Sequence, residues 1–259
     1  MAGQGASESA SGTEEFEARL QRALDRRRLR KPAPRFVQGN RSYGQRALGE
    51  DELNRLTRQW FLELEEQTSF YSEKLGHDIM WLNDWFKKYW MAWDQGVDEQ
   101  ALPELLAPDV EYKDPVSFGR PMVGIQAFID YNQAFFDAIP DWRYDLLPGQ
   151  FFINVTRDGE VRLMGRYVGT GFWEKPLRMY PFDKSAPAMP ATGAFMQAPA
   201  VDRYHFNTDR QLQRGETMWD AFEAMQMSNL LPSDRSPVFR ALVGAGSVGA
   251  AAQRLIRRR

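Results

Sequence analysis

From residue 51 onward, apolar side chains return at the spacing of a helix. Leu53, Leu56, Trp60, Leu64 and Tyr71 fall on one face and predict a helix over 51–75, closed by Gly76. Trp81, Trp85, Tyr89 and Trp93 recur every four residues and predict a second helix over 78–94, stopped by Gly96. A short helix is expected at 98–106, and another at 124–138 with Pro140 behind it. Residues 108–115 (PDVEYKDP) break this rhythm and alternate, as a strand with one covered face does. After residue 140 the period of two takes over, with strands expected at 142–147, 150–156, 161–171, 195–207 and 211–219. Asp158-Gly159 is a hairpin signal inside that run. Residues 172–194 hold four prolines, too many for a continuous strand, and read as an insertion that lids a pocket or reaches across an interface. Residues 219–232 predict a closing helix.

Helices, one strand, a helix and then a meander of strands define an α+β fold, a curved antiparallel sheet wrapped around helices. A curved sheet of this kind closes over a pocket on its concave side. The flanks read differently. Residues 1–13 are rich in Gly, Ser and Ala and are expected to be disordered; 14–30 carry a helical pattern ending in a basic run; 32–44 read as a linker. The chain thus divides into 1–50 (basic helical segment and linker), 51–76 (accessory helix), 77–232 (α+β domain) and 233–259 (basic helical tail).

Composition narrows the chemistry. With 17 Phe, 8 Trp, 9 Tyr and 11 Met, the apolar part of the chain is unusually aromatic and suits the walls of a pocket for a flat apolar ligand. A net charge of −2 gives no reason to expect nucleic acid, although both termini are basic enough for a weak contact with an anionic surface. The absence of cysteine excludes disulfides and a Cys nucleophile, and two histidines, His77 and His205, are too few for a His-built metal site. No metal or organic cofactor is expected. No apolar run is long enough to span a membrane, the first residues lack the order of a signal peptide, and a cytoplasmic protein is the expectation.

Three strings carry the candidate chemistry: KKYWMAWDQG (87–96), DVEYKDPVSFG (109–119) and AVDRYHFN (200–207). They supply the phenol of Tyr89 and the carboxyls of Asp114 and Asp202. Two carboxyls and a phenol on one apolar pocket can move a proton next to a carbonyl, one carboxylate taking it while the phenol and a neutral acid hold the oxyanion. Strand alternation puts Asp202, Tyr204 and Phe206 on one face, with Arg203 and His205 on the other. It likewise groups Val110, Tyr112 and Asp114. Trp85, Trp93, Tyr112, Tyr204 and Phe206 are therefore candidate ligand-contacting side chains, with Arg166 added as an unusual charge within a strand. A packed core accounts for the Trp/Tyr stripe equally well, and Asp-Pro also serves simply to end a strand. Asp141 and Asp220 read as caps of a turn and a helix. Gly244 to Gly249 match G-x-G-x-x-G, but a dinucleotide fold needs a further strand with an acidic residue after it, and none follows.

Taken in order, these strings, together with AIPDWRYDLL, GRYVGTG and ETMWDAFEAMQMSNLLP, resemble the NTF2-like superfamily over about 78–232, closest to its SnoaL-like polyketide cyclases and ketosteroid isomerases. The resemblance implies a cone-shaped fold with an apolar pocket, a homodimer, and a steroid- or polyketide-like ligand. It implies that Asp114 is a general base and that Tyr89 and Asp202 donate to the oxyanion. Here Lys113 replaces the acidic neighbour usual before that Asp. The cyclase branch implies instead an aldol ring closure centred on Asp202, although its catalytic His has no counterpart here. Epoxide hydrolases of this fold imply an Asp-Arg-Asp set in which Arg166 would take part, and some relatives only bind or assemble.

Overall fold

In the computed structural model, residues 4–38, 45–94, 96–117, 120–178, 185 and 187–256 are described, with side chains from 15 to 246. The helices are α1 (Gln4–Arg26), α2 (Glu50–Leu75), α3 (Trp81–Met91), α4 (Leu102–Leu105), α5 (Ile125–Ala138), α6 (Ala221–Met227) and α7 (Pro237–Ile256). The strands are β1 (Leu106–Lys113), β2 (Met122–Val123), β3 (Arg143–Val155), β4 (Val161–Phe172), β5 (Leu177–Arg178), β6 (Ala188–Met189), β7 (Phe195–Phe206) and β8 (Leu212–Trp219).

Six strands form one sheet in the order β2-β1-β8-β7-β4-β3, and β5 and β6 pair separately. The α+β architecture is the expected one, a curved sheet around helices. Its one departure from antiparallel pairing is the parallel junction of β1 with β8. Parallel neighbours need a long connection, and α5 with the whole meander provides it. The two strands expected at 142–147 and 150–156 are one strand, β3, whose register shifts between Leu146 and Phe151 around Pro148 and Gly149 (φ 70°). Such a bulge keeps the ladder while bending the strand.

Local rules set the element ends. Gly76, in the left-handed region, donates its N–H to Tyr71 O and stops α2 where expected. The Asp158-Gly159 turn joins β3 to β4, with Thr156 N–H bonded to Glu160 O at 2.8 Å. Helix α3 is shorter than the expected 78–94 because the chain tightens into turns from Ala92. Helix α1 covers residues from Gln4, where disorder was expected, and stops at Arg26, before most of the basic run. The G-x-G-x-x-G string lies inside α7, away from any strand-to-helix turn. In the 172–194 insertion, residues 179–184 and 186 lie outside the described residues; its described part holds the short β5–β6 ladder.

One core runs through the molecule. Leu20 and Leu24 of α1, Trp60 and Leu64 of α2, Phe86 and Trp90 of α3, and Leu146, Leu163 and Tyr204 of the sheet pack together. Residues ahead of position 77 therefore share the core of the α+β domain. A buried polar clamp fixes this arrangement. Arg143 grips Asp145 with Nε at 3.0 Å and Nη2 at 2.8 Å, and also donates to Arg27 O and Asn54 Oδ1. Arg27 lies over the Trp90 ring and donates to the carbonyls of Tyr144 and Trp90. Burial pulls its guanidinium down to about 10, with Asp145 and Asp94 opposing the shift.

Candidate active site

The concave face of the sheet and α5 line an apolar cavity of about 90 Å³. Side-chain size makes that space. Ala198 and Ala200 on β7 and Gly169 on β4 leave a low floor, and aromatic rings build the walls. Two glycines are essential to those walls. A Cβ at Gly169 would stand 2.2 Å from the Trp142 ring, and one at Gly215 would stand 2.3 Å from the Tyr112 ring. Both rings thus lie flat on strand backbone, which only glycine permits.

Asp114 reaches the cavity because β1 ends at Lys113 and Pro115 opens a single 3-10 turn, Pro115–Ser117. Its Oδ1 accepts the Val116 N–H at 2.7 Å, and its Oδ2 accepts the Trp219 indole N–H at 2.9 Å. The Tyr131 hydroxyl also bonds to this carboxyl. Burial pushes Asp114 up to about 6, against those three donors.

Asp202 projects from β7 onto the same wall. Register places it opposite Thr217 on β8, whose Oγ1 lies 2.7 Å from Oδ1. Oδ2 meets the hydroxyls of Tyr204 at 2.7 Å and Tyr144 at 3.3 Å. Thr217 is bonded in turn to the Tyr112 hydroxyl at 2.7 Å. Burial raises Asp202 to about 6, and the charge of Asp114 adds to the rise. Tyr89 stacks on Trp85 with ring centroids 4.6 Å apart and joins the Asp202 network through Tyr204. Burial and the nearby Asp202 carboxylate hold its phenol well above the usual range, so it remains a neutral donor.

Of the residues singled out in the sequence, Asp114, Asp202, Tyr89, Trp93 and Tyr112 line one cavity. Tyr204 stands behind the wall and supports Asp202. Trp85 and Phe206 belong to the packed core, with centroids 4.8 Å apart and the Trp85 indole N–H given to Leu105 O. Arg166 is a correction: it points to the outer face, where it bonds Gln150, because cavity-facing positions of β4 are the odd-numbered ones. The Asp-Arg-Asp arrangement is therefore not assembled. His205 also points away from the cavity and meets Glu160 at 2.9 Å. Among the described residues no group of three or more His, Cys, Asp or Glu side chains is gathered to hold a metal ion.

Sequence reasoning missed Tyr131, Tyr144, Tyr167, Thr217 and Trp219, all lining the cavity. A signal existed for two of them: Gly215, Thr217 and Trp219 share one face of β8 by alternation.

Residues 86–214 match the family described as SnoaL-like domain. Among solved structures, a candidate SnoaL-like polyketide cyclase from Jannaschia sp. CCS1 is 16% identical, with 57% of this chain and 93% of that chain covered at a TM-score of 0.43. TsrD from Streptomyces laurentii is 14% identical, covering 58% and 96%, at a TM-score of 0.44. IdmH, a candidate polyketide cyclase from Streptomyces antibioticus, is 18% identical, covering 56% and 95%, at a TM-score of 0.40. No curated protein matches the chain. Among the described residues no helix is long and apolar enough to cross a membrane. Over residues 86–214, then, this chain carries a SnoaL-like domain.

Proposed function

We propose that the cavity binds a flat apolar carbonyl compound and moves a proton at the carbon next to the carbonyl, with Asp114 as base and Asp202 and Tyr89 as oxyanion donors. The observation that carries this reading is the difference between the two carboxyls' partners. Two of the three donors to Asp114 are N–H groups, which can only donate and so favour its ionised form. Asp202 is met by hydroxyls alone, which accept as readily as they donate, so this carboxyl can carry a proton. The charge of Asp114 favours that division, since two like charges on one apolar wall oppose each other.

The ionised Asp114 takes the proton from carbon, and the C–H electrons pass to the carbonyl oxygen. Protonated Asp202 and Tyr89 donate to the resulting oxyanion. Asp114 then returns its proton at the other end of the dienolate, which moves the double bond with no net proton change. Loss of the base should cost roughly 10²–10⁴ in rate. The test is double-bond migration in a β,γ-unsaturated ketosteroid, followed by ultraviolet absorbance, in wild type beside Asp114→Asn. Turnover lost in the variant supports the reading, and no turnover in wild type overturns it for steroids.

A second reading is favoured by the SnoaL-like family match. The same enolate attacks a second carbonyl of the ligand, a C–C bond closes a ring, and the new alkoxide takes the proton from the acid. Ring closure of a linear polyketone that fails in Asp202→Asn distinguishes this outcome. Homodimerisation is expected by the same family likeness, through the part of the outer sheet face left open by Leu48, which bonds Gln197 at 2.8 Å. Sedimentation of the full chain tests it.

A further inference from the structure

Tyr89, Tyr112, Tyr131, Tyr144, Tyr167 and Tyr204 all feel the charge of Asp202 or Asp114, but their hydroxyls are not equivalent. Tyr112 is engaged with Thr217 and Tyr204 with Asp202, each at 2.7 Å. Tyr144 bonds Tyr204 at 3.0 Å and Asp202 at 3.3 Å. Tyr131 is held by Asp114, and Tyr89 turns toward Tyr204 and Trp93. Tyr89 and Tyr204 are also 4% and 1% exposed. Tyr167, in contrast, is half-buried and lines the cavity.

Strand register places Tyr167 between the two carboxyls. Gly165 on β4 stands opposite Asp202, so Tyr167 is the diagonal neighbour of that acid, a spacing of about 7–8 Å that an aromatic side chain spans. Tyr167 itself stands opposite Ala200, and Ala200 stands opposite Trp219, whose indole donates to Asp114 at 2.9 Å. Gly165 has no side chain and Ala200 only a methyl, so the floor beside the ring is low. The ring is fixed by Tyr144, with centroids 4.2 Å apart. Its hydroxyl lies near Thr217 and feels both carboxyls. Burial, then the Asp202 and Asp114 charges, hold the phenol well above the usual range, so it stays a neutral donor.

We infer that Tyr167 is a further catalytic residue, whose phenol donates to the carbonyl oxygen of the ligand between Asp202 and the base Asp114. This rests on the proton-transfer reading of the cavity. The phenol keeps its proton throughout, and its hydrogen bond strengthens as negative charge passes from Asp114 to the oxygen. Donation from this side also turns the carbon next to the carbonyl toward Asp114.

The probe is 2-naphthol, whose ionised oxygen on a flat ring stands in for the dienolate. Its absorbance separates the bound neutral and ionised forms. Wild type should ionise bound naphthol at a pH about one unit lower than Tyr167→Phe does, a ten-fold difference in favour of the oxyanion. The variant keeps the ring against Tyr144, so naphthalene, which lacks the oxygen, should bind both proteins equally and show that the variant is folded. In β,γ-unsaturated ketosteroid turnover, Tyr167→Phe should lower kcat by about 10²–10³ with KM near that of wild type. The same naphthol titration in both proteins, naphthol and naphthalene weakened alike, no naphthol binding by wild type, or an unchanged kcat overturns the inference. Failure of the proton-transfer reading would show separately, as a Tyr167-dependent naphthol titration in a wild type that moves no double bond.

Discussion

Thr217 faces Asp202 directly across the β7–β8 ladder, and its Oγ1 donates to Asp202 Oδ1 at 2.7 Å while meeting the Tyr112 hydroxyl at the same distance. A phenol, a hydroxyl and a carboxyl thus form one chain across three strands. Replacing Thr217 with Val keeps the shape and removes the middle link. Asp202 then rises further above about 6, having lost a donor to its charged form. The orphaned Tyr112 hydroxyl adds a cost of roughly 1–3 kcal/mol. Carboxyl NMR titration and urea unfolding of Thr217→Val check both outcomes.

Stability should fall as pH rises through the titration of the two buried carboxyls. Asp114 and Asp202 have ordinary values of 3.8 and stand at about 6 in the folded chain. The folded state therefore binds more protons than the unfolded one between those values. The stability this gives is fully present below the unfolded value and is lost as pH rises through about 6. Asp114→Asn and Asp202→Asn cannot titrate. Relative to wild type, each variant should gain roughly 2–3 kcal/mol in urea unfolding between acid and neutral pH.

The flat seat of Tyr112 on Gly215 predicts that Gly215→Ala is destabilising although it adds one methyl group. The added carbon would stand 2.3 Å from the ring, so the ring or the strand must shift. Overpacking of this kind costs about 1–3 kcal/mol. Chemical denaturation reads the cost. A displaced Tyr112 also leaves Thr217, so the Asp202 titration should move in the same direction as in Thr217→Val.

The clamp of Arg143 on Asp145 joins β3 to α1 and α2. Both side chains are buried, so Asp145→Ala strands a guanidinium beside Arg27, which is itself buried. Removing one partner of a buried pair costs about 3–5 kcal/mol. Thermal unfolding measures the loss. Arg143 also holds Arg27 O, so proteolysis of the variant should begin in α1.

Much of this arrangement was legible in residue order. The alternation through Asp202, Tyr204 and Phe206 predicted a buried face, and all three are buried while Arg203 is exposed. The proline after Asp114 predicted a carboxyl turned out of the strand, and the turn at Val116 holds it there. Arg166 shows the limit of the same logic. Applied to β4, alternation separates Arg166 from the glycines that face the cavity, yet the string alone does not say which face is which. Trp85 and Phe206 were expected at the ligand and lie in the core, because an aromatic stripe looks the same whether it packs on protein or on substrate.

The sequence by itself determined the helix and strand periods, the element ends at Gly76 and Asp158-Gly159, the α+β order and the pairing of side chains on each strand face. These follow from backbone geometry and nearest neighbours, which are local. Tertiary structure alone decided that Thr217 meets Asp202, that Trp219 and Tyr131 meet Asp114, and that Tyr112 lies on Gly215. Each of these depends on strand register or on contact between residues far apart in the chain, and register is set by packing the whole sheet against its helices.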